Sequence, residues 1–210
     1  MIEHPIKGGS DPFNDYGPSF YLTTELDNAK SWACKNNSIG VVNQYSVDNK
    51  KYRELKVLDL TNKDMYTVLN WLAILVHFRK IDSSIIRRNK LALDWLEKYY
   101  IDVNDYDVIK GFRADDSYFR YPLAFISGEL SYDDLEEIFM LGNLGIQYAF
   151  MSQTAIDLLT FQKIIECDES FAGHYYSVVT KATAQFDEIL ERPRDPQKTY
   201  IFDLIRKENE

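Results

Sequence analysis

Asp15-Tyr16-Gly17-Pro18-Ser19-Phe20-Tyr21-Leu22-Thr23-Thr24 compresses three structural signals into one short stretch. Asp15-Tyr16-Gly17-Pro18 is turn chemistry. It continues a turn-rich start that includes Gly8-Gly9-Ser10-Asp11-Pro12, so residues 1–18 read as a loop. Phe20-Tyr21-Leu22-Thr23 is aromatic and apolar enough for a short strand. Thr24 is a candidate helix cap, with Asp27 at the third position of the first turn. Ala29, Trp32 and Ala33 then share a helical face, and Asn36-Asn37 ends the helix. Loop, strand and helix in immediate succession announce a chain that mixes α and β elements.

The same reading extends outward. Ile39, Val41, Tyr45 and Val47 alternate, with Asn43 the polar exception, so 39–48 is a strand and 54–60 reads as its partner. Val68, Leu69, Leu72 and Val76 form one helical stripe, and Ile85, Ala92, Leu96 and Tyr99 a second. A strand over 106–111 precedes helices over 115–127 and 131–141. Ser131 caps the latter, with Asp133 and Asp134 favouring its dipole. A strand over 145–150, a short helix from Ser152 and a strand over 161–167 follow. Phe171, Tyr175, Val178, Ala182, Phe186 and Ile189 make a long helix that Pro193 and Pro196 stop, and Thr199 to Lys207 reads as a short terminal helix. The expectation is an α+β fold, with short antiparallel strands at the core and helices on the periphery.

Composition bounds the function. The 210 residues are 45% hydrophobic with a net charge of -9, enough for one good core and too acidic for a bulk field that attracts nucleic acid or anionic membranes. Cys34 and Cys167 lack CxxC spacing, which reads as two reduced thiols or, in the minority reading, one disulfide. The 3 histidines lack HxxxH spacing, so no metal is expected. The N-terminus has neither the basic nor the apolar region of a signal peptide. The longest uncharged stretch, Ile138 to Ile156, is broken by Gly142, Asn143 and Gly145, so no membrane span is read. These features point to a cytoplasmic protein.

Asp15 to Thr24, followed by Asn28-Ala29-Lys30-Ser31-Trp32-Ala33, resembles the "DFGxGFYLTT…xxAxxWA" block of the bacterial domain of unknown function 3990 family. That block is similar in turn to the "FGKGIYFA" segment of poly-ADP-ribose polymerases. Asn70-Trp71-Leu72 with Phe78-Arg79, Tyr106 to Gly111 with Ala114-Asp115-Asp116-Ser117-Tyr118, and Gln147 to Phe150 with Ser152, Ala155, Leu158 and Leu159 resemble three further family blocks. The resemblance covers about residues 10–165. It implies an ADP-ribosyltransferase-like split antiparallel sheet over residues 1–168, with 169–210 a C-terminal helical extension packed on it. It also implies a cleft between two small sheets that takes NAD as a substrate.

In such transferases nicotinamide leaves through an oxocarbenium-like transition state, which the site stabilises by stacking, ribose hydrogen bonds and negative charge. By the resemblance, Tyr21 stacks on the nicotinamide and Gly17 lets the backbone approach closely. Read without the motif, Tyr21 is a core tyrosine between Phe20 and Leu22, and Gly17 a turn glycine. Gln147 stands where active transferases often carry Glu. Its amide can bond a ribose hydroxyl but supplies no full charge; otherwise it is a polar strand residue. Asp115 and Asp116 bind a ribose or a metal, act as acid and base, or simply cap a helix and favour its dipole. Arg79 contacts a pyrophosphate, pairs with one of these carboxylates, or lies at a helix surface. The family's usual first strand, with its His, has no counterpart here, and His4, before Pro5, is a poor substitute. The functional expectation is a nucleotide-binding domain with weak or no transferase activity. Its alternatives are a non-catalytic protein-interaction module on the same fold, or a partner-binding helical protein resting on the C-terminal helix.

Overall fold

The computed structural model describes residues 1–35, 39–114, 120–139, 141 and 145–210. In chain order the first half contains β1 (Phe20–Leu22), α1 (Leu26–Ala33), β2 (Val41–Val47), α2 (Asn49–Tyr52), β3 (Val57–Asp59), α3 (Val68–Phe78), α4 (Ser83–Arg88) and α5 (Lys90–Leu96). The second half contains β4 (Val108–Phe112), α6 (Arg120–Ile126), α7 (Tyr132–Phe139), β5 (Ile146–Phe150), α8 (Gln153–Ile156), β6 (Leu159–Glu166), α9 (His174–Leu190) and α10 (Ile201–Glu208). The fold is mixed α and β.

Two sheets form. A four-stranded sheet runs β1-β5-β4-β3, and β2 with β6 makes a separate two-stranded ribbon. Pairing is antiparallel except between β3 and β4, which run parallel. The expected pairing of 39–48 with 54–60 is therefore corrected. The Asp48 carboxylate accepts from the backbone N–H of Lys50 and Lys51, which starts α2 and turns the chain out of the ribbon. Residues 57–59 then join β4 instead, and the long alternating β2 finds its partner in β6.

Helix α3 explains why the sheet and the helices make one body. Leu69, Trp71, Leu72, Ala73, Ile74 and Leu75 are all buried, so α3 is covered on nearly every side. Trp71, Ile74 and Leu75 pack on Tyr16, Ile109 and Ala149 of the sheet region. Leu69 and Leu72 instead join a helical core with Leu96, Phe125, Phe186 and Ile201. Burial of each such side chain contributes roughly 1.5–3 kcal/mol. The other sheet face packs Phe150 and Val108 against Ala155 and Ile156 of α8.

Three further local expectations change. Thr24 does not cap α1; Glu25 holds that position, and its N–H donates to the Thr23 hydroxyl at 3.2 Å. The buried side of α1 is Ser31 rather than Trp32, which is 49% exposed. The Trp32 ring instead meets Tyr175 edge-on, with Lys35 and Arg113 over its faces. The helical stripe over 85–99 divides at Asn89, whose side chain donates to the Ile85 carbonyl and interrupts the helix between α4 and α5. The predicted helix ends at Asn36-Asn37 and at 115–119 lie outside the described residues. Among the described residues no helix is long and apolar enough to cross a membrane.

Candidate functional site

Strand register decides which motif side chains meet. Tyr21 of β1 lies opposite Ala149 of β5, and Gln147 of β5 lies opposite Gly111 of β4. Residues two apart on a strand share a face, so Tyr21, Ala149, Gln147 and Gly111 all face α3. The opposite face carries Phe20, whose ring meets Tyr45 of the ribbon edge-on at 5.7 Å. The motif pair is thus turned toward α3, and an apolar aromatic contact is turned toward the second sheet.

A buried carboxylate organises the α3 side. Asp15 is 4% exposed. Its Oδ1 accepts from the Arg79 guanidinium, with Nε at 3.1 Å and Nη2 also in contact. Its Oδ2 accepts from the Ala114 backbone N–H at 2.8 Å and from the Gln147 side-chain amide at 2.6 Å. Arg79 Nη2 donates onward to the Ala114 carbonyl at 2.9 Å. Burial raises the Asp15 carboxyl above its ordinary value, against the opposing pull of the Arg79 charge and of the Ala114 and Gln147 donors.

The neighbouring tyrosines extend this network. Tyr16 donates its hydroxyl to the Phe112 carbonyl at 2.8 Å and accepts from Trp71 Nε1 at 2.8 Å. Tyr21 donates to the Gly17 carbonyl at 2.7 Å and accepts from the Tyr16 N–H at 3.0 Å. Burial raises both phenols, and the Asp15 charge adds to it at each. Neither hydroxyl is a base at neutral pH. Two glycines make the network possible. A Cβ at Gly111 would stand 2.1 Å from the Tyr16 hydroxyl. Gly17 has φ +77°, and a Cβ there would meet the Phe78 ring at 2.5 Å.

The structure therefore brings Gly17, Tyr21, Arg79 and Gln147 into one hydrogen-bonded set through Asp15 and Tyr16. Asp115 and Asp116 lie outside the described residues. Arg79 pairs with Asp15 rather than standing at the helix surface. His4 is exposed in the N-terminal loop. Asp15, Tyr16 and Trp71 were not singled out as site residues by sequence reasoning. The available signal was an indole in an otherwise apolar helix, which needs an acceptor when buried.

Beside this set is a hollow of about 290 Å³. Pro18 and Phe78, the neighbours of Gly17, line it together with Lys7, Lys56, Tyr106 and Met151. Asp105, Asp107, Asn104 and Ser152 complete the lining. Among the described residues no group of histidine, cysteine and carboxylate side chains could hold a metal ion.

A family model described as "Protein of unknown function (DUF3990)" matches residues 1–161, so the chain belongs to that family. No curated protein and no solved structure matches it.

Proposed function

We propose, with membership of this family as the premise, that the chain is an ADP-ribosyltransferase-like domain. On this reading it binds NAD or a related nucleotide and transfers ADP-ribose weakly or not at all. The observation that supports it is the hollow beside Gly17 and Pro18, lined by two lysines, two aspartates and two aromatic rings. Phe78 and Tyr106 offer apolar faces to a base, and Lys7 and Lys56 offer point charges to a phosphate. At about 290 Å³ the hollow is at the small end of ligand pockets and suits one nucleotide half of NAD better than the whole.

Weak chemistry follows from position 147. The Gln147 amide donates to Asp15 and neither carries charge nor exchanges a proton at neutral pH. Loss of one preorganised electrostatic group costs about 10²–10³-fold in rate, and the loss falls on the chemical step rather than on binding. A second reading, a non-catalytic protein-interaction module, draws on the same geometry, because the motif side chains spend their hydrogen bonds on one another.

Thermal-shift titrations with NAD, ADP-ribose and AMP, beside incubation with labelled NAD, test the proposal. Binding produces a melting temperature that rises with nucleotide concentration and a rise that is lost in Lys7→Glu/Lys56→Glu. Absence of any shift at millimolar nucleotide favours the interaction module. Robust label transfer overturns the assignment of weak chemistry.

A further inference from the structure

Cys34 lies inside the family-matched residues 1–161 and Cys167 just past them, yet the fold brings them to one carbonyl. Cys34 closes the last turn of α1, with its N–H on the Lys30 carbonyl at 3.1 Å. Cys167 directly follows β6, with its N–H on the Gly40 carbonyl at 3.2 Å. Its Sγ approaches the same Lys30 carbonyl at 3.9 Å. Both thiols are free and buried. Both cysteines thus meet at the Lys30 carbonyl, and burial, with the neighbouring Cys34 thiol, pushes the Cys167 thiol up to about 11. The junction around them is already closed, since a Cβ on Gly40 would meet the Ala33 carbonyl at 2.1 Å.

We propose that Cys34 and Cys167 form a redox modification site, in which hydrogen peroxide converts the two thiols into one intramolecular disulfide fastening the end of α1 to the end of β6. In the first step one sulfur attacks a peroxide oxygen. The O–O bond breaks, one water leaves and a sulfenic acid remains. In the second step the other sulfur attacks that sulfenic sulfur. The S–S bond forms, the S–O bond breaks and a second water leaves. The two thiols lose two electrons and two protons, and the peroxide is reduced to two waters. A peroxide fits because it is small enough to reach a buried thiol. The neighbouring sulfur resolves the sulfenic acid before further oxidation. In reducing surroundings the pair stays a quiet part of the interior, because burial keeps the Cys167 thiolate scarce.

The experiment treats the reduced full chain with hydrogen peroxide and follows thiol count in denaturant, intact mass, linked peptides and melting temperature. Both thiols disappear together, and the mass falls by two hydrogen atoms. A peptide joining positions 34 and 167 appears, and the melting temperature rises by roughly 5–10 °C until reductant reverses it. In Cys34→Ser and Cys167→Ser the rise is absent, and the remaining sulfur gains oxygen instead. Oxygen gain at both cysteines of the natural chain overturns the proposal, as does disulfide formation only between chains. The linked-peptide measurement needs only the natural chain, so a variant that fails to fold leaves the test intact.

Discussion

Gln147 donates its side-chain amide to Asp15 at 2.6 Å, joining β5 to the loop before β1. The same Asp15 oxygen takes the Ala114 N–H, two residues past the end of β4. One carboxylate therefore ties together the first strand's entry loop, the two central strands and, through Arg79, the end of α3.

Replacing Asp15 tests that tie. Asp15→Ala removes the partner carboxylate from a guanidinium whose side chain is 12% exposed. Breaking a buried ion pair from one side costs about 3–5 kcal/mol. Urea unfolding should show that loss, with a smaller one in Asp15→Asn, which keeps the shape and part of the hydrogen bonding. A loss below about 1 kcal/mol in Asp15→Ala would contradict the role given to this carboxylate.

Gly111→Ala should be costly for a steric reason. The added methyl falls within 2.1 Å of the Tyr16 hydroxyl and forces it off the Phe112 carbonyl and Trp71 Nε1. Overpacking of this kind costs about 1–3 kcal/mol, and a hydrogen-bonding group left unsatisfied adds to it. Chemical unfolding reads the total. Tryptophan fluorescence should shift as well, because Trp71 loses the Tyr16 hydroxyl as an acceptor.

Tyr21→Phe keeps the ring and deletes the hydroxyl that links Gly17 to Tyr16. The Tyr16 N–H loses its acceptor, and the Gly17 carbonyl the shorter of its bonds, keeping that from Ser19 at 3.5 Å. A loss of about 1–3 kcal/mol is expected. Faster hydrogen exchange at the Tyr16 amide would place the effect at this link.

Acid should weaken the helical side through Asp134. Burial pushes this carboxyl up, but hydrogen bonds from Lys198 and Ser131 prevail and hold it below its ordinary 3.8. Its stabilisation is therefore present above the unfolded value and lost as pH falls through the folded one. Against Asp134→Asn, the natural chain should keep a constant advantage above pH 3.8 that shrinks at lower pH. For a partly exposed pair the advantage is about 0.5–1 kcal/mol. Unfolding free energies measured across that range check both the sign and the window.

Local pattern located the elements better than it located their partners. Alternation and turn residues placed strands close to where β1, β2, β4 and β5 lie, because side-chain period is a local property. Pairing is not local: Val41 meets Glu166, and no signal near either residue says so. The parallel β3–β4 pair was hidden for the same reason, with α3 to α5 lying between the two strands. The family resemblance, rather than spacing, singled out Gly17, Tyr21, Arg79 and Gln147, which meet in one hydrogen-bonded set. Asp15 was missed because an aspartate before Tyr-Gly-Pro looks like an ordinary turn former. Its burial depends on strands and a helix far along the chain.

Shared ancestry and self-sufficiency have different borders in this molecule. The family match stops at position 161, inside β6, whose pairing with β2 continues to Glu166. Past that point Phe186 and Ile189 of α9, with Ile201 and Ile205 of α10, close the core built on Leu72, Leu96 and Phe125. A shortened protein that kept only the inherited segment would leave that interior open to water along one whole side. The tail beyond the family match thus supplies one wall of the core on which the family's portion packs.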